Sequence, residues 1–276
     1  FAASGSYAKA LSRKAHIYVV TWGLITLALP WSALLLLKQG TPAVAPEFLR
    51  AAMISVVVNM IAVTLQVKAL SISPLSLTMP FLAFTPLFML VPSWVVLKEA
   101  PDALGLTGIL LIVAGGYAIH IDKIRGGFVA PLKAIVSERG SLLMLLVAAL
   151  WSISAVHDKV ATVASSPAYY TMFFSLVFGV LYVPFLILGL RRQPLGEATA
   201  PRLFLLGFFA AVMMLSQFAA IELAVASYVI AIKRAGMVLS VVFGYLFFKE
   251  KHLRARLTGA MLMMTGVLVL SLQGGP

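Results

Sequence analysis

The chain has 276 residues, of which 62% are hydrophobic and 11% charged, with 21 Lys or Arg against 9 Asp or Glu and no Cys. Soluble domains are about 45–50% apolar and about 25% charged, so a soluble enzyme, a disordered chain, a fibre and a disulfide scaffold are all excluded. The mean hydropathy of +1.03 leaves an integral membrane protein built of spanning helices. The net charge of +12 reads as loop charge that orients the spans and meets lipid headgroups, not as a nucleic-acid surface, because the basic residues sit in short loops between apolar runs.

About 20 apolar residues cross the hydrocarbon core. In chain order such runs fall at 17–37, 50–67, 75–97, 104–121, 141–157, 168–190, 203–221, 225–248 and 257–272. Turn and charge signals separate them, among them Lys38-Gln39-Gly40-Thr41-Pro42, Lys98-Glu99-Ala100-Pro101-Asp102, Arg191-Arg192-Gln193-Pro194 and Lys249-Glu250-Lys251-His252. The longest connection, 122–140, mixes acids and bases and suits an interfacial segment. No basic flank, short apolar run and cleavage site mark a signal peptide.

An offset of 151 residues aligns the two halves without a gap. Lys98-Glu99 falls on Lys249-Glu250, Leu106-Thr107-Gly108 on Leu257-Thr258-Gly259, Gly115 on Gly266, Gln66 on Gln217 and Ser76 on Ser227. Over positions 66–116 this gives 11 identities. Shared hydropathy alone would scatter Leu and Val matches, whereas a kept Lys-Glu followed by Leu-Thr-Gly argues for duplication. The run at 141–157 then opens the second half, and its counterpart lies before Phe1. The expectation is an all-α bundle of ten helices in two five-helix repeats, 1–121 and 141–276, joined by the interfacial linker 122–140. The first helix is truncated, with Phe1 to about Lys9 its remaining end. An odd number of spans per repeat inverts the second copy in the membrane, a common plan for secondary transporters with a site near the midplane.

Two five-helix halves, each with a helix ending in Lys-Glu and a following helix bearing Leu-Thr-Gly and a later Gly, resemble the EamA-type transporters of the drug/metabolite transporter superfamily. The Pro-rich segment Pro74-Leu-Ser-Leu-Thr-Met-Pro80-Phe-Leu-Ala-Phe-Thr-Pro86 and Trp151 in an opening helix add to that likeness. The resemblance implies a carrier of small metabolites, amino acids or drugs that works by alternating access without ATP. The sequence has no GxxxxGK[ST] loop for a nucleotide. No cofactor, metal site or catalytic constellation is expected, and the expected partners are membrane lipid, a small-molecule substrate and protons. The expected location is the plasma (inner) membrane of a prokaryote. Loops after odd-numbered spans hold 14 Lys or Arg and the others 4. The positive-inside rule therefore puts both termini outside, whereas the family more often has both inside.

A charge within a span costs about 2.5–3.5 kcal/mol and so faces a cavity or a partner. Lys233-Arg234, inside 225–248, are the first candidates to hold an anionic group of the substrate, Arg by a bidentate grip. An ion pair with Glu222 or Asp158 is the structural alternative. His157 and Asp158, at the end of 141–157, are candidates to relay a coupling proton, as is Glu222; a solvent-wet helix end is the alternative. Gln66 and Gln217, equivalent in the repeat, and Asn59 offer amides to a substrate or to a neighbouring helix. Trp151, Tyr169, Tyr170 and Tyr228 are candidates to stack on it, and Trp22, Trp31 and Trp94 suit the interfacial belt. Gly108 and Gly115, like Gly259 and Gly266, lie seven apart on one helix face and favour close packing. The leading reading is a secondary transporter of a small polar metabolite, anionic or an amino acid. The alternatives are a proton-coupled exporter of cations or drugs, a lipid-linked flippase and a non-transporting membrane scaffold.

Overall fold

In hydrocarbon a backbone amide finds no water, so each apolar run closes its own hydrogen bonds as helix. The computed structural model describes residues 2–85, 87–88, 103–119, 133, 135, 137–195, 199–223, 226–250 and 252–272, with the side chains of 221–235 and 270–272 excluded. Among these residues all regular structure is helical. The elements are α1 (Ala2–Ser12), α2 (Ile17–Thr26), α3 (Leu29–Gln39), α4 (Glu47–Ile72), α5 (Leu75–Thr78) with a 3₁₀ continuation (Met79–Phe84), α6 (Ala103–Ile119), α7 (Arg139–Val163), α8 (Pro167–Leu181), α9 (Val183–Arg192), α10 (Ala200–Leu223), α11 (Ala226–Phe248) and α12 (Leu253–Leu272).

Among the described residues, four stretches are long and apolar enough to cross a membrane: Ile17–Gln39 (α2 with α3), α4, α7 and Ala200–Ala220 in α10. A fifth is the pair α8 and α9, bent by 56°. The apolar run 168–190 is thus not one straight span. Pro184 near the start of α9 has no N–H to continue the α8 ladder. The run at 141–157 extends to Val163, which puts His157 and Asp158 within α7 and not at its end. Residues 86 and 89–97 of the run 75–97 and most of the linker 122–140 lie outside the described residues.

The chain forms two compact units. One takes residues 3–67 and 153–224, the other 68–152 and 225–276, and the divisions fall inside α4 and α7. In the first unit α8 packs on α2, α3 and α10, and α2 also packs on α9 and α10. Ser166 caps α8 by accepting from the Tyr169 N–H at 3.2 Å, with Pro167 at its first position. Trp22 turns inward: its indole N–H donates to the Gly179 carbonyl at 3.2 Å.

In the second unit α6 lies along α12, and α11 packs on α12, α5 and the 3₁₀ segment. The α6–α12 seam is made of glycine. A Cβ on Gly115 would stand 2.6 Å from the Gly259 carbonyl oxygen, and one on Gly266 would stand 2.6 Å from that of Gly108. Backbones this close leave no room for a side chain. Because 115 meets 259 while 108 meets 266, the two helices run antiparallel.

Candidate functional site

The first unit buries a polar cluster between apolar helices. Ser55, Asn59 and Gln66 of α4 are spaced 4 and 7 apart, within about 40° of one another on the helix, and all three are buried. Asp158 of α7 is 8% exposed and Tyr170 of α8 wholly buried. The Tyr170 hydroxyl donates to Asp158 Oδ1 at 2.6 Å, and the Ser55 hydroxyl donates to the same oxygen. Asn59 Nδ2 donates to the Ser55 carbonyl at 3.0 Å and to Ser55 Oγ at 3.1 Å. Asn59 thereby orients a serine whose own hydroxyl donates to the carboxylate. Aromatic rings close around the cluster, with the Tyr170 centroid 4.7 Å from that of Phe218 and 6.3 Å from that of Phe48. Further along α4, the hydroxyls of Thr64 and Tyr182 lie 2.6 Å apart.

The magnitudes favour a carboxylate that is held, not merely tolerated. Its insertion costs about 2.5–3.5 kcal/mol, and each hydrogen bond to a charged group returns about 1.5–3 kcal/mol. Two aligned hydroxyls are enough to offset that cost. A carboxylate of this kind binds a proton or another cation.

A second polar centre clasps the break between α4 and α5. Glu250 accepts from the Leu75 N–H at 2.7 Å, from the Ser76 N–H at 2.9 Å and from the Ser76 hydroxyl. Arg256 donates to Ser76 Oγ and lies 3.4 Å from Glu250 Oε2. Glu138 accepts from the Ser73 hydroxyl and from the N–H groups of Gly140 and Ser141. Burial pushes its carboxyl up, but hydrogen bonds from Ser73, Ser141 and Gly140 outweigh that and hold it below the usual carboxylate range. Glu250 thus satisfies amides at the start of α5 and Glu138 those at the start of α7, so the clasp reads as structural.

Of the candidates from sequence, Asn59 and Asp158 meet through Ser55. Gln66 shares their α4 face, and Gln217 lies half-buried on α10 in the same unit. His157, adjacent to Asp158, points elsewhere: it is half-buried, with Nδ1 3.0 Å from the Ile153 carbonyl. Trp151 is half-buried on α7 within the other unit. Lys233, Arg234 and Tyr228 fall on α11 and Glu222 near the end of α10, and their side chains lie outside the described residues.

Two residues were missed as polar ligands. Ser55 was legible as the partner four residues before Asn59. Tyr170, read from sequence as a stacking ring, acts through its hydroxyl.

The sequence profile of the EamA-like transporter family matches residues 1–120 and 138–272. No curated protein sequence matches the chain. Twelve chains of solved structures do. One of them, a protein crystal structure, aligns with a TM-score of 0.66 over 99% of this chain and 95% of its own, at 15% identity. At that identity the likeness establishes the fold alone.

Proposed function

The chain belongs to the EamA-like transporter family of the drug/metabolite transporter superfamily, and from that premise we propose that it moves a small polar metabolite by alternating access, without ATP, using Asp158 to carry a coupling proton. It is an integral membrane transporter. The observation that carries the finer reading is the buried Asp158 carboxylate in a long apolar helix, served by Ser55 and Tyr170. An ionisable residue within a span is by default a candidate functional group.

The inverted repeat is part of this reading. A two-fold axis in the membrane plane exchanges residue n with n + 151. It therefore maps the Gly115–Gly259 contact onto Gly266–Gly108, which is the other contact along the seam. The family profile also matches each half of the chain separately. Lys233 and Arg234 of α11 are proposed to hold an anionic group of the solute. Asp158 equally favours a second reading, in which a cationic solute leaves in exchange for protons.

Purified protein, screened by thermal shift against amino acids, organic acids, phosphorylated metabolites and organic amines, identifies the solute to be reconstituted in liposomes. Asp158→Asn is expected to lose accumulation driven by a pH gradient while keeping solute counterflow. A variant that still accumulates solute on that gradient rejects Asp158 as the coupling group. Lys233→Ala and Arg234→Ala abolish uptake of an anionic solute, and unchanged uptake rejects that site. If the solute proves cationic, the second reading stands in its place.

A further inference from the structure

Two basic pairs far apart in the chain meet at one end of the unit formed by 3–67 and 153–224. Arg13 and Lys14 occupy the turn between α1 and α2, and Arg191 and Arg192 end α9. Gln193, next in the chain, ties them together: its Nε2 donates to the Lys14 carbonyl at 3.0 Å. One turn earlier Gly189 lets α9 press against α2, where a Cβ would stand 3.1 Å from Tyr18 Cβ and from Val19 Cγ2. All four basic residues are exposed.

The helix that delivers Arg191 and Arg192 is itself unusual. After the 56° bend from α8, α9 shows Val183, Phe185, Ile187 and Leu188 on its surface, between 39% and 45% exposed. At 10 residues it is about 15 Å long, half a hydrocarbon core. An apolar face therefore runs up to a cluster of four cations and stops. A phospholipid has the complementary layout, with acyl chains beneath an anionic phosphate.

We propose that this corner is a binding site for an anionic phospholipid, whose phosphate is held by Arg13, Lys14, Arg191 and Arg192 and whose acyl chains lie along α9. Arginine forks grip a phosphate through two N–H bonds, and lysine adds a point charge. Topology signalling alone requires these charges to be somewhere in the loop. It does not require that segments 179 residues apart be bonded to each other, nor that an exposed apolar face end beside them. The site is independent of the role given to Asp158.

The test uses the full chain in a neutral detergent, with dioleoylphosphatidylglycerol or dioleoylphosphatidylcholine added, read by thermal shift and by native mass spectrometry. Phosphatidylglycerol is expected to raise the unfolding temperature and remain bound, phosphatidylcholine to do neither. Lys14→Gln with Arg191→Gln and Arg192→Gln should weaken phosphatidylglycerol binding roughly tenfold or more. Salt at about 0.5 M should weaken it in the wild type, because exposed charges are screened. Lys38→Gln, an exposed charge elsewhere, should leave it unchanged.

Equal binding of the two lipids overturns the proposal, as does a triple variant that binds like the wild type or a Lys38→Gln loss of equal size. Inorganic phosphate reproducing the thermal shift without lipid overturns it in favour of a soluble anion. The comparison of the two lipids on unaltered protein decides the matter even if the triple variant does not fold.

Discussion

Asp158 receives two hydroxyl protons on a single oxygen, and that geometry sets the expected cost of disturbing it. Ser55→Ala and Tyr170→Phe each remove one donor from a buried carboxylate and should each destabilise the protein by about 1.5–3 kcal/mol, measured as unfolding in mixed micelles. The two effects should not add, because both bonds serve the same atom. A double-mutant cycle with additive losses would mean that the hydroxyls act independently of Asp158. Glu138 gives a pH prediction with a definite sign. Its carboxyl is held below the usual range, so its contribution to stability is complete above the ordinary carboxylate value of about 4.3 and is lost as pH falls through the lower folded value. Glu138→Gln should flatten this acid limb of the pH–stability profile, and a profile identical to the wild type would show that another group produces it. At this scale the sequence announces which residue types are costly in a span, so Asp158 and Asn59 stand out unaided. It does not announce Tyr170 as a ligand, because a tyrosine's apolar ring is at home in a span and its hydroxyl becomes informative only when the α7–α8 turn brings it to Asp158.

Elements follow their composition where backbone and burial agree, and depart where proline or packing intervenes. α4 and α7 both outrun their apolar cores, because helix continues as long as its amides have partners, even past a charge such as Asp158 or Lys68. The bend at Tyr182 was not legible as such: Pro184 marks a weakened ladder, but the direction and the 56° angle depend on α9 turning to pack against α2. The glycine seam was legible as close packing, since a seven-residue spacing keeps Gly108 and Gly115 on one face. Its partner and direction were not. The seam predicts a contrast between neighbours. Gly115→Ala places a methyl 2.6 Å from the Gly259 carbonyl oxygen, where only backbone movement can relieve the clash; a loss of about 1–3 kcal/mol is expected. Gly116→Ala meets at 3.3 Å the end of the Met263 side chain, which can move aside, and should cost far less. Equal losses from the two substitutions would refute a backbone-to-backbone seam.

For the whole molecule, charge and topology make one prediction between them. With 14 basic residues in one set of loops of the expected ten-span order and 4 in the other, the positive-inside rule predicts that the first set lies in the cytoplasm. Paired fluorescent and phosphatase reporters at Pro276 should then give an active phosphatase and a dark fluorophore. The reverse result would give precedence to the family's more frequent orientation. The bond between Gln193 and the Lys14 carbonyl fits such a scheme, since both segments belong to the basic set and a bond across the bilayer is impossible. Composition carried the membrane assignment outright, because the hydrophobic effect depends on totals. How helices are shared between compact units was invisible to it.

That sharing has a consequence for how such a protein can be cut and built. Each compact unit draws helices from both halves of the chain, so a fragment ending near residue 121 carries parts of two bodies and the whole of neither. Expressed alone, either fragment should be cleared by proteolysis; expressed together, they should co-purify as a complemented pair.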